Sequence, residues 1–301
     1  MSDAPNEAEV SRAWAAHRSH LVDVAFRMLG DIGSAEDVVQ EAFSRFARAD
    51  TAAIEDDRGW LTVVTSRLCL DRIRSAPARR ERPHDFTAAD GARRAPPASA
   101  LDPADRVTLD DGVRLALLVV MQQLSPAERV VFVLHDVFGM PFDEIAQSVG
   151  RPAATCRQLA RRARQRIEAD TRGRRFELDA AEHRAVTERF IVAASGGDLH
   201  GLLQVLDPDV SGEVDLGAGA ATPGVVHGAA LVAANLIDFW GRATLVSLPV
   251  KGLPAVLAFR RRRLAGVLVL TPTEDSQRVA KVHVLADPAK LAFLRTQLET
   301  I

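Results

Sequence analysis

"MPFDEIAQSVGRPAATCRQLARRARQRI", residues 140–167, holds a short helical segment, a glycine, a proline and then a longer, strongly basic segment. "FDEIAQSV" followed by Gly150 and Pro152 and a second helix is the layout of a helix-turn-helix. At about 100° per residue, Cys156, Leu159, Ala160, Ala163 and Ile167 fall on one arc and form the stripe to be buried. Arg157, Arg161, Arg162, Arg164 and Arg166, with Gln158, take the rest of the circumference. Arg172, Arg174 and Arg175 extend the positive run, against only Glu168 and Asp170. Alone, such a helix reads as a solvated surface element. As the second helix of this motif, with few acids beside it to pair with, it suits DNA. An arginine can donate two hydrogen bonds to guanine O6 and N7, or hold a phosphate.

The rest of the chain is not basic. Over 301 residues the formal net charge is -2 and the pI about 6.5, so the positive field is local. A hydrophobic fraction of 47% and a charged fraction of 26% are those of a globular protein with room for two or three domains. Cys69 and Cys156 are too few for a disulfide framework or a structural zinc site, and both sit in apolar helical patterns that predict burial. The acidic opening "MSDAPNEAEV" lacks the plan of a signal peptide, and no apolar run has the length of a membrane span. These features predict a cytoplasmic protein that does not enter a membrane.

Residues 8–75 read as helical. In "GDIGSAEDVVQEAFSRF", residues 30–46, Ser34 is the expected N-cap, with Asp37 three residues on, and Val38, Val39, Ala42, Phe43 and Phe46 follow at helical spacing. "RGWLTVVTSRLCLDRIRS", residues 58–75, offers Trp60, Leu61, Val64, Leu68 and Ile73 to a core. Residues 76–106, rich in Pro, Ala, Asp and Arg without a period, read as a linker. Helical pattern returns at residues 113–124, and Ser125, Pro126 and Glu128 mark another helix start. Beyond Arg175 two helices separated by Gly196-Gly197 precede strands at 243–250, 255–259, 264–270 and 279–286, with a last helix near Pro288, an α+β pattern. In the last strand Ala280, Val282 and Val284 share one face and Lys281 and His283 the other.

Three of these segments together resemble one family. Residues 124–167 are similar to region 4 of a bacterial extracytoplasmic-function (ECF) sigma factor, residues 30–46 to region 2.2, and residues 58–75 to regions 2.3 and 2.4. The remainder resembles the SnoaL-like, NTF2-like domain appended to SigJ-type members. The resemblance implies a multidomain protein. Region 2 (1–78) and the region 4 helix-turn-helix (112–172), both all-α, flank a linker at 79–111, and an α+β NTF2-like cone follows at 173–301.

It also implies partners and residues. Asp31, Glu36, Asp37, Gln40 and Glu41 match positions that bind the β′ clamp helices of core RNA polymerase, and exposed carboxylates suit a basic partner. Region 4 meets the β flap in such proteins. Trp60, Arg67, Asp71, Arg72 and Arg74 match the helix that opens the −10 element and holds flipped bases, although many relatives carry asparagine at the position of Arg67. Thr155, Arg157, Gln158, Arg161 and Arg162 match the −35 recognition positions, with Pro152 setting the helix entry. The appended domain is expected to act in cis. No cofactor, metal or catalytic activity is implied, and the NTF2-like fold leaves room for an unidentified ligand in its pocket. Asp215, His227 and His283 are the acid–base residues a different reading would use: a ligand sensor or small-molecule enzyme fused to a helix-turn-helix repressor. A repressor has no need of the acidic region 2.2 motif.

Overall fold

The computed structural model describes residues 7–75, 124–170, 181–217, 224–248 and 254–299. The expected linker at 79–111, the helical segment 113–123 and Arg172, Arg174 and Arg175 lie outside these residues.

Helices α1 (Glu7–Leu29), α2 (Ile32–Phe46) and α3 (Asp57–Ser75) make the first bundle. From Leu21 to Met28 every residue of α1 is buried, the mark of a helix covered on all sides. The aromatic core runs from Trp14 to Phe43, ring centroids 4.8 Å apart, and from Phe46 to Trp60 at 5.6 Å. Val38, Val39, Ala42, Phe43 and Phe46 are buried, as their spacing predicts.

The start of α2 differs from the expectation. Asp31, not Ser34, is the N-cap, and its carboxylate accepts from the amides of Gly33 (3.3 Å) and Ser34 (2.7 Å). Gly30, at φ 77°, turns the chain after α1, so the helix begins before Ser34. Burial opposes the charge on Asp31, but the hydrogen bonds from Ser34 and Gly33 hold its carboxyl below the usual aspartate range.

The second bundle contains α4 (Pro126–Phe132), α5 (Phe142–Val149) and α6 (Ala153–Asp170). Ser125 and Glu128 form a reciprocal capping box at the start of α4, as expected, and a π-helical turn at Val133–Val137 ends it. Gly150, at φ 66°, makes the left-handed turn after α5. Cys156, Leu159, Ala160, Ala163 and Ile167 are all buried.

The third domain is a six-stranded sheet with helices α7 (Ala181–Gly196), α8 (Leu199–Val205) and α9 (Ala229–Trp240) on one face. Its strands are β1 (Leu206–Asp215), β2 (Val226–His227), β3 (Thr244–Ser247), β4 (Ala255–Arg260), β5 (Arg263–Pro272) and β6 (Val279–Leu285), in the order β2-β1-β6-β5-β4-β3. Among the described strands only β1 and β6 run parallel. A final helix, α10 (Pro288–Glu299), packs on β5. Sequence periodicity indicates β3 to β6 and α10, reads residues up to Val210 as helical where β1 already begins at Leu206, and passes over β2 and α9.

Alternation along β4 divides its side chains. Val256 and Ala258 face α7 to α9, while Leu257 and Phe259 join the apolar core of the helical bundles. Phe259 meets Phe26 of α1 at 5.5 Å. All four residues of β3 are buried because α1 covers the face that α7 leaves open. Arg27, itself buried, fastens this junction. It donates to Asp23 (2.9 Å) and to the carbonyl oxygen of Ser247 (2.6 Å), and its guanidinium lies 5.7 Å over the ring of Phe138. Arg129 of α4 donates to the carbonyl oxygen of Met28 at 3.0 Å, and burial draws its pKa down to about 10. One face of the third domain's sheet therefore shares a core with the two bundles, while the other closes a separate core under α7 to α9.

Candidate functional site

Three charged surfaces carry the residues singled out in the sequence. The first is the open side of α6. Arg157, Gln158, Arg161 and Arg162 are exposed and Thr155 is half-buried. Arg157 lies 5.6 Å over the ring of Phe142, which fixes its stem against α5. The basic circumference is not uniform, however. Arg164 donates to Asp136 at 2.6 Å and Arg166 pairs with the buried Glu128 of the capping box. Acids from α4 and the turn after it thus tie down the C-terminal arginines, which the composition of α6 alone does not reveal. Among the described residues Arg157, Arg161 and Arg162 make no ion pair.

The second surface belongs to α3. Arg67, Asp71, Arg72 and Arg74 are exposed along it. Trp60 stands apart, half-buried against Phe46 in the aromatic core. Arg67 reaches across to the second bundle. Its Nε and Nη2 donate to the carbonyl oxygen of Gln147 at 3.3 and 2.9 Å. That carbonyl lies in the last turn of α5, where unpaired carbonyls attract a cation. Arg72 lies 3.7 Å from Asp37.

The third surface is acidic, on α2, and the structure divides it. Gln40 and Glu41 are exposed, Glu41 held by Arg45 one turn on at 2.9 Å. Asp31 serves as the cap. Glu36 and Asp37 are engaged by the third domain. Thr244 of β3 donates to Glu36 at 2.5 Å, and Arg262 donates to Asp37 at 2.7 Å and lies 3.4 Å from Glu36. Arg18 of α1 adds a cation 3.6 Å from Glu36. Arg262 occupies the two-residue turn between β4 and β5, where Arg261 and Arg262 have φ 50° and 62°. Sequence reasoning passed over Arg262. Its signal was the run "RRRR" at 260–263 between two strands, a basic hairpin tip in a chain with an acidic helix.

Asp215, His227 and His283 do not form a constellation. Asp215 is paired with Lys290 of α10 (3.1 Å) and accepts from the Gly217 amide. His283 lies 3.6 Å from Glu213, and His227 is on the edge strand β2.

Comparison with known proteins gives the family. Residues 13–79 match the model of Sigma-70 region 2 and residues 114–167 that of Sigma-70, region 4. The chain is 54% identical over 292 residues to the probable ECF RNA polymerase sigma factor SigI of Mycobacterium tuberculosis, covering 96% of this chain and 97% of that one. It belongs to the ECF RNA polymerase sigma factors. The ECF sigma factor SigJ of the same organism is 42% identical over 200 residues, 65% of this chain and 62% of its own length. A crystal structure of SigJ aligns over 94% of this chain and 98% of that one at 30% identity, with a TM-score of 0.38. As a sigma factor, the protein has core RNA polymerase and promoter DNA as its partners. The region 2 match removes the ground for reading it as a fused repressor. Among the described residues, no helix of this sigma factor is long and apolar enough to cross a membrane.

Proposed function

We propose that this sigma factor rests in a closed form in which its C-terminal domain restrains it. In this reading region 2 spans residues 1–78, a linker 79–111, region 4 residues 112–172 and the restraining domain 173–301. Asp31, Glu36, Asp37, Gln40 and Glu41 meet the β′ clamp helices, and region 4 meets the β flap. Trp60, Arg67, Asp71, Arg72 and Arg74 serve the −10 element, with Trp60 as structural support. Thr155, Arg157, Gln158, Arg161 and Arg162 serve the −35 element. The protein acts in the cytoplasm and performs no catalysis of its own.

One observation carries the restraint: Arg262 and Thr244 occupy Glu36 and Asp37, two of the carboxylates that would meet polymerase. A length argument supports it. Elements named −10 and −35 lie about 25 base pairs apart, roughly 85 Å along B-DNA. Arg67 is hydrogen-bonded to Gln147, and Gln147 is only ten residues from Arg157. Ten residues reach at most about 36 Å when fully extended. The two reading surfaces are thus too close to touch both elements, and docking on polymerase requires them to separate.

The test is affinity for core polymerase. Arg262→Asp together with Thr244→Val is expected to raise it several-fold, and removal of residues 176–301 to raise it at least as much. Unchanged or weaker binding by the doubly substituted, folded protein refutes the restraint.

A further inference from the structure

The third domain encloses a cavity of about 390 Å³ between α9 and the inner face of the sheet. Its walls are apolar, with Val232, Leu236 and Trp240 from α9 opposite Ala265, Val282 and Val284 from the strands. Trp240 lies so close over Gly266 that a Cβ there would come within 2.5 Å of its ring, so the indole forms a flat wall. The rim differs. Arg260 and Asn235 stand at it, and Phe239 is 60% exposed beside them. Arg260 makes no ion pair among the described residues. Glu213 also lines the cavity, but its carboxylate is paired with Lys281 at 3.0 Å and lies 3.6 Å from His283. An apolar chamber of this size with a cation and an amide at its mouth, and its one carboxylate already neutralised, has the make-up of a small-molecule site.

The same cavity is tied to the acidic helix by two short stretches of chain. Arg260 ends β4 on the cavity side, and Arg262, two residues on, holds Asp37. Trp240 ends α9 as a cavity wall, and Thr244, four residues on, holds Glu36. Among the described residues, no stretch of this kind links the cavity to α6.

We propose that this cavity binds a flat, apolar, two- to three-ring molecule bearing one anionic group, and that its occupancy tightens the contact on Glu36 and Asp37. The rings lie against Trp240 and the apolar walls. The anion is held by Arg260, with Asn235 as a second donor. Four consecutive arginines repel one another at the hairpin tip, and an anion at Arg260 relieves that repulsion. Ordering Trp240 and the segment after it lowers the cost of ordering Thr244 on its partner. Both effects favour the closed form. Only this relay rests on the restraint proposed above; the binding site stands without it.

The experiment uses two fluorescent probes on the full-length protein without polymerase. One is 1-anilinonaphthalene-8-sulfonate and the other N-phenyl-1-naphthylamine, the same rings without the sulfonate. Saturable binding of both at one site is expected. Arg260→Gln should weaken the sulfonate probe about tenfold, the loss of one charged hydrogen-bonding contact, and leave the neutral probe within about twofold. Ala265→Trp should remove both while circular dichroism is unchanged. Should that variant fail to fold, Val232→Phe replaces it. Undiminished binding of both probes by a folded, cavity-filled variant overturns the site, and equal effects of Arg260→Gln on the two probes overturn the anionic assignment. For the relay, saturation with the sulfonate probe should lower affinity for core polymerase several-fold in the wild type and not in Arg262→Ala. Unchanged or increased affinity in the wild type overturns the relay, whereas failure of the probes to bind leaves the restraint itself standing.

Discussion

Helices α2 and α6 carry opposite charge, and the fold treats them in opposite ways. On α6, the arginines that face back toward α4 are neutralised by Asp136 and Glu128, and Arg161 and Arg162 stand exposed. On α2, the outward Gln40 and Glu41 remain accessible, while Glu36 and Asp37 are engaged by a separate domain more than 200 residues away in sequence. The basic helix is trimmed locally, by its own bundle. The acidic helix is covered by a domain distant in sequence. Under the proposed restraint the difference means that the exposed face of α6 is already built, and that what remains to be released is access to α2 and the separation of α3 from α5.

The contrast can be broken most forcefully at the shared core. Phe259 is buried against Phe26, so Phe259→Ala should cost roughly 3–5 kcal/mol of the packing between the third domain and α1. Urea denaturation should resolve two transitions where the intact core gives a more concerted one. A single transition at the wild-type midpoint would show that the interface contributes little.

The recognition helix offers the next largest effect. Arg161→Ala and Arg162→Ala should each cost roughly 1–3 kcal/mol of discrimination between −35 sequences if they contact bases, and Arg164→Ala should leave the preference unchanged because Asp136 holds that side chain. Fluorescence anisotropy with a panel of −35 duplexes would separate the two classes. Equal loss at all three positions would mean that the split within α6 has no functional meaning.

The junction between domains also titrates. His20 sits with Arg58 and Glu188, and burial, with the positive charge of Arg58, lowers its pKa to about 3. Glu188, 3.8 Å away, is already paired with Arg58 at 2.7 Å. Between pH 6.5 and 3 the unfolded chain holds a proton on this group that the folded one does not. Stability from His20 is therefore full above pH 6.5 and declines as pH falls, by up to about 1.4 kcal/mol per unit. Urea midpoints at pH 7.5 and 5.5 should differ more for the wild type than for His20→Gln. Equal differences would assign the pH dependence to other groups.

Much of each bundle was legible before folding because helical burial obeys a local period. The stripe on α6 and the apolar positions of α2 follow from spacing alone. The start of α2 was misread because Asp31 and Ser34 are both competent caps three residues apart, and the backbone reversal at Gly30 selects the earlier one. Helix α9 escaped notice because its N-cap is Gly228, which provides no side-chain signal, and it is apolar on most of its surface. Strand β1 contains Pro208 and Gly212, which read as turn residues, and its partner β6 lies some 70 residues on.

By itself the sequence determined the two helical bundles, the basic face of α6 and the acidic helix, since each depends on residues within a few turns of one another. The tertiary structure decided which of those charges are free. Arg164 and Arg262 are equally basic on paper, yet one is bound within its own bundle and the other reaches across to Asp37. Pairings at such separations depend on how the sheet of the third domain lies on α1. No local period encodes that arrangement, because it arises from apolar faces meeting at Phe26 and Phe259.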